Sequence, residues 1–144
     1  MLEVLLDYNW ALFFHIAGMI IGLGAVTVID TLGFISRKSK YNTETTIRAH
    51  HVTKPLIWIG TIIALISWIF LFDFSSIAYW KSFILLALIL NGGFLSFYIS
   101  PRLDKLLGKN KLLPKELQNK IMLSFIVSFT GWWSFVFLTV LMIG

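Results

Sequence analysis

The chain has 144 residues, 58% hydrophobic and 13% charged, with a formal net charge of +5 and a mean hydropathy of +0.84. It contains no cysteine, which excludes disulfides, thiolate metal sites and cysteine nucleophiles. Apolar runs at roughly residues 8–36, 55–72, 82–100 and 121–144 each approach or exceed the ~18–20 residues a helix needs to cross a hydrocarbon layer. Residues 1–144 are therefore expected to form one integral membrane domain, an all-α four-helix transmembrane bundle, with no separate soluble domain.

Basic residues are distributed unevenly. Arg37, Lys38, Lys40, Arg48 and Lys54 follow the first run, and Arg102, Lys105, Lys109, Lys111, Lys115 and Lys120 follow the third; only Lys81 lies elsewhere. The positive-inside bias then places both connectors in the cytoplasm and both termini outside, as in a multi-pass protein of a prokaryotic cytoplasmic (inner) membrane. Topology accounts for the positive charge without nucleic acid, and attraction to anionic headgroups follows only generically.

The first helix is expected to begin near Trp10, capped by Asp7 or Asn9. Glu3 and Asp7, with no basic residue before Trp10, argue against a cleaved signal peptide. Gly18 and Gly22 form a GxxxG pair, a bare stripe suited to close helix packing or to a flat cofactor. The connector after the RKSK cluster predicts a short helix from Thr43 to His51, and Pro55 suits the first turn of span two. Tyr79 and Trp80 mark an interfacial belt. Span three carries Asn91, Gly92 and Gly93 near its midpoint. The RLDKLL segment beyond it is amphipathic and suited to the membrane surface. Span four brings Ser124, Ser128, Thr130, Gly131, Trp132 and Trp133 into the membrane. The two hairpins share an orientation but no residue-level match.

Polar side chains inside the spans are the candidate functional groups, because each needs a partner in lipid. His15, on the Gly18–Gly22 stripe, suits an interhelical hydrogen bond, an axial bond to haem iron, or a hydrogen bond to a quinone. Asp30 lies about 9–12 Å beyond the centre of its span. It is expected either to pair with Arg48, His50, His51 or Lys54, or to form a proton- or cation-responsive site with Thr27 and Thr31. His15 and Asp30 are separated by about 22 Å of helix, and His50 and His51 lie farther still. That separation disfavours a single bis-histidine haem joining His15 to either in a simple bundle; a haem at His15 would have its second axial position empty, held by a second chain, or held by a thioether such as Met142. Lys81 is expected to snorkel outward or to pair with Asp7 or Asp73. Asn91 suits an interhelical hydrogen bond, and Trp133 packing between helices or against a ligand. No zinc spacing, catalytic triad, phosphate loop or paired-carboxylate motif appears.

FHIAGMIIG in span one, TKPLIWIG opening span two and WKSFILLALIL opening span three resemble the small polytopic families that include the HemJ-type protoporphyrinogen oxidase and CopD-like proteins. The resemblance implies haem b, with His15 as ligand and Lys81 as a porphyrin-side residue. Span four departs from it, offering GWWSFVF where charged residues are expected. The GLGAVTVID segment and the ISPRL end of span three also resemble uncharacterised four-helix membrane proteins of environmental prokaryotes. The leading expectation is a haem- or porphyrin-associated membrane redox protein, with His15 on the iron and Lys81, Asn91 and Trp133 around the pocket. A quinone or a partner chain would be the acceptor, and a homo-oligomer is compatible with the glycine faces. The alternative is a non-enzymatic channel, transporter or assembly subunit in which Asp30, Thr27 and Thr31, with His51 or Lys54, form an ion or proton site.

Overall fold

The computed structural model describes residues 2–144, with side chains from Asp7 onward. Four helices are long and apolar enough to cross a membrane. They are α1 (Leu2–Ile35), α2 (Lys40–Leu71), α3 (Ser76–Asp104) and α4 (Lys115–Ile143). A tight 3₁₀ turn, Ser36–Lys38, joins the first two. With an even number of passes, both termini lie at the end of the bundle that carries the Phe72–Ser75 turn. The basic connectors lie at the other end.

Each helix outruns its apolar segment, because hydropathy marks what contacts lipid while the hydrogen-bond ladder continues into polar residues. The expected separate helix at Thr43–His51 is part of α2, which starts at a Ser39 cap whose hydroxyl accepts from Asn42 N at 3.3 Å. Pro55 lies inside that helix, not in its first turn, where it removes its own N–H donor from the ladder and its ring crowds the carbonyl one turn earlier. Instead of lying on a surface, the Arg102–Asp104 stretch prolongs α3. Leu103 there packs with Ile47, Ile99, Leu113 and Leu117.

At the α1–α2 crossing backbone meets backbone. A Cβ added at Gly60 would stand 2.5 Å from Gly22 N and 2.7 Å from Gly18 O. The small residues thus seat one backbone against the other, and the Gly18–Gly22 stripe packs a helix. Helices α3 and α4 are joined differently. Asn91 Nδ2 donates to Ser124 O (3.1 Å) and Ser128 Oγ (2.8 Å), while Ser124 Oγ donates back to Asn91 Oδ1 at 2.8 Å. This is the interhelical amide expected from the sequence, with both its polar atoms engaged.

Candidate functional site

Two polar centres occupy the bundle interior. They are separated along α1 by Gly22, which lies about 10 Å from His15 and about 12 Å from Asp30 by helical rise. Into the Gly22 notch fits the indole of Trp132, only 1% exposed. Trp132, Ser124, Ser128, Phe135 and Thr139 are the buried residues of α4's membrane portion, and their spacing of three and four defines one helical face. Trp133 falls off that face and is half exposed. The expectation that Trp133 packs inside is therefore corrected: its neighbour does.

In the half nearer the termini, His15 is 0% exposed and Lys81 is 1% exposed. The His15 ring lies 5.8 Å from that of Trp68 and 5.3 Å from that of Phe135. Its Nδ1 is 3.1 Å from Ala64 O and 3.0 Å from Ser67 Oγ. A carbonyl only accepts, so Nδ1 carries the proton. Ser67 is free to accept as well, because its hydroxyl donates to Ile63 O at 2.7 Å. Nε2 then bears the lone pair and has no hydrogen-bond partner. Lys81 does not snorkel, and among the described residues it pairs with neither Asp7 nor Asp73. Its ammonium lies 4.3 Å from the Trp68 ring centroid and 4.9 Å from that of Phe135, an aromatic enclosure that attracts a cation through ring quadrupoles. His15 and Lys81 thus share the same two aromatic neighbours, Trp68 and Phe135. Asn91 and Trp133 do not join them, being committed to α4 and to the bundle's outer surface.

The donor chemistry of His15 suits an iron, since a free Nε2 behind an anchored Nδ1 is how a ligating histidine is oriented. The space does not. A fully buried ring leaves no water-sized gap beside it, and Trp68 and Phe135 fill the volume a porphyrin would need. A groove of about 480 Å³ between α1 and α2 is lined by Trp10, Phe14, Ser67 and Phe70 but not by His15; Ser67 is the hydroxyl 3.0 Å from His15 Nδ1.

The second centre lies toward the basic end. A cavity of about 70 Å³ is lined by Asp30, Thr43, Thr46, His50, Gln118 and Ser124, among others. A smaller one of about 20 Å³, lined by Asp30, Thr61, Gly92, Ser128 and Trp132, continues toward the midplane. At ~15 Å³ of such space per water, the larger has room for a few molecules and the smaller for one. Asp30 lines both. Its Oδ2 and His50 Nε2 are buried with no hydrogen-bond partner, and His50 is 6% exposed.

The chain matches no family model, no curated protein and no solved structure.

The expected ion pairs of Asp30 are not formed among the described residues: Arg48, His51 and Lys54 are engaged elsewhere, and His50 Nε2, on the same cavity, has no hydrogen-bond partner. Arg48 bonds Glu44 at 2.9 Å, His51 Nε2 lies 3.2 Å from an Asp104 carboxylate oxygen, and Lys54 donates to Ser100 at 3.2 Å. Nor do Thr27 and Thr31 join the site. Both face outward and return their hydroxyls to their own helix, at Leu23 O and Thr27 O, 2.7 Å each. Outward threonines in lipid satisfy their hydroxyls in this way. The histidine that shares a cavity with Asp30 is His50. The signal for it was in the sequence: Thr43, Ile47, His50, Gly60, Thr61, Ala64 and Trp68 recur on one face of α2, and His51 does not. Among the described residues no three of His, Asp and Glu converge as a metal site.

Proposed function

We propose that this chain is a proton-handling membrane protein of channel or transporter-subunit type, with Asp30 as the intramembrane acceptor reached from the cytoplasmic end. The observation that carries this reading is the pair of unpartnered buried atoms, Asp30 Oδ2 and His50 Nε2, on the wall of one cavity. A carboxylate kept in a bundle without a donor is costly, and such residues mark ion and proton routes. Protonation from cavity water removes that cost. A lone carboxylate with one imidazole in the same cavity, and no third ligand, favours a proton over a divalent metal. Beyond Asp30 the route ends at Trp132, wedged into the Gly22 notch, so passage to the far side requires that indole to move.

Purified protein in liposomes with an internal pH-sensitive dye provides the test. Wild-type protein should collapse an imposed pH gradient, Asp30→Asn should abolish the leak, and His50→Gln should slow it. Equal flux in wild type and Asp30→Asn would remove Asp30 from the role.

The haem reading has one observation in its favour, the free Nε2 of His15 beside Lys81, and requires the Trp68–Phe135 packing to open. A Soret band in protein from haem-replete cells, lost in His15→Ala, would support it. Colourless protein would reject it.

A further inference from the structure

At the basic end, where α3 leaves the bundle and α4 enters it, a groove of about 310 Å³ collects Tyr98, Arg102, Lys105 and Lys120 over an apolar floor that includes Leu106 and Leu117. Three cations there face one carboxylate, Glu116, which is 81% exposed and bonded to Lys120 at 2.7 Å. The groove therefore keeps an excess of positive charge.

Its centre is built. Residues Leu95–Ile99 form a π turn, in which Ser100 N–H reaches back five residues to Leu95 O. Such wide turns rotate the helix that follows and are frequent at binding sites. Tyr98, inside this turn, stacks on Phe94 with ring centroids 5.1 Å apart. The Arg102 guanidinium lies 3.5 Å over the Tyr98 ring, held by a 2.6 Å bond from its Nη1 to Tyr98 O. Lys120 Nζ donates to the Tyr98 hydroxyl at 2.6 Å. Because that oxygen already accepts from an ammonium, the phenolic proton is left to donate outward. The remaining guanidinium N–H groups and the Lys105 ammonium have no protein partner among the described residues. The first turn of α4 adds backbone donors, since Pro114 at its cap supplies no side-chain hydrogen bond.

We infer that this groove is a binding site for one anionic phospholipid, its phosphate held by Arg102, Lys105 and the Tyr98 hydroxyl and its glycerol end against Leu106 and Leu117. Planar guanidinium and phenol donors match the two non-bridging oxygens of a phosphodiester. Basic pockets between transmembrane helices at the cytoplasmic end hold anionic headgroups by this chemistry. The site is independent of the proton route through Asp30, which opens between other residues.

Native mass spectrometry of the full chain in detergent, titrated with phosphatidylglycerol or with phosphatidylcholine of the same acyl chains, provides the test. One phosphatidylglycerol should be retained in preference to phosphatidylcholine. Arg102→Gln with Lys105→Gln should weaken retention about thirtyfold, at roughly one headgroup-attracting charge each. Tyr98→Phe keeps the ring under Arg102 and removes only the hydroxyl, and should weaken it about tenfold. Lys109→Gln with Lys111→Gln removes the same charge outside the groove and should change nothing. Equal retention of the two lipids, or equal weakening by the Lys109/Lys111 pair, would overturn the site. Competition by inorganic phosphate at the lipid's own concentration would reassign it to a soluble anion and overturn the lipid.

Discussion

Replacing Gly60 with alanine adds one methyl group at the place where α1 and α2 touch backbone to backbone. The new Cβ would meet Gly22 N at 2.5 Å, Gly18 O at 2.7 Å and Gly22 Cα at 2.8 Å. None of these atoms belongs to a flexible side chain. Ordinary contact begins at 3.4 Å, so the crossing must open by about 0.9 Å, the difference between 3.4 and 2.5 Å. A gap of that size forfeits a quarter to a half of the dispersion energy of each atom pair it separates. Overpacking of this kind costs about 1–3 kcal/mol, and backbone neighbours place the cost at the upper end. Alanine returns about 1 kcal/mol in helix propensity, which leaves Gly60→Ala about 1–2 kcal/mol less stable than wild type. Gly24 supplies the control, because a Cβ there meets nothing within 4 Å. Gly24→Ala keeps only the propensity gain, so the two variants should differ by about 2–3 kcal/mol. Reversible unfolding of each variant in mixed micelles, followed by helical circular dichroism, measures that difference. If Gly60→Ala proved as stable as Gly24→Ala, the close crossing of α1 and α2 would be refuted.

Asn91→Ala removes three interhelical hydrogen bonds and leaves Ser124 and Ser128 without their amide. At the ~0.6 kcal/mol typical of such bonds in membranes, the variant should lose about 2 kcal/mol in the same unfolding assay. A loss below a few tenths would show that α3 and α4 are held by apolar packing alone. Lys81→Met replaces a buried ammonium with an apolar chain of similar length between Trp68 and Phe135. Relieving the desolvation cost should leave stability unchanged or raise it by about 1–4 kcal/mol. A marked drop would mean that the aromatic enclosure more than compensates the charge. Trp132→Ala vacates the Gly22 notch, joining the inner cavity to the His15 region. It should destabilise the fold by about 3–5 kcal/mol and, if the bundle survives, raise the basal proton leak in liposomes; an unchanged leak would exclude Trp132 as the barrier.

Membrane character, helix number and the clustering of basic charge at one end were all written in composition and run length. A stretch of some 20 apolar residues has no other stable arrangement once lipid surrounds it. Helix ends were not legible that way, because α2 and α3 continue through Thr43–His51 and Arg102–Asp104 on backbone hydrogen bonds that hydropathy does not register. The polar candidates divided along the same line. That His15, Asp30, Lys81 and Asn91 need partners follows from their chemistry in lipid, whereas the identity of each partner depends on how the helices turn about their axes. A rotation of one residue, 100° of helix, exchanges Trp132 for Trp133 and His50 for His51. Only packing set that rotation. It seated α2 on the Gly18–Gly22 stripe, drew Lys81 into the aromatic box beside His15, and left Asp30 facing a small cavity instead of a cation.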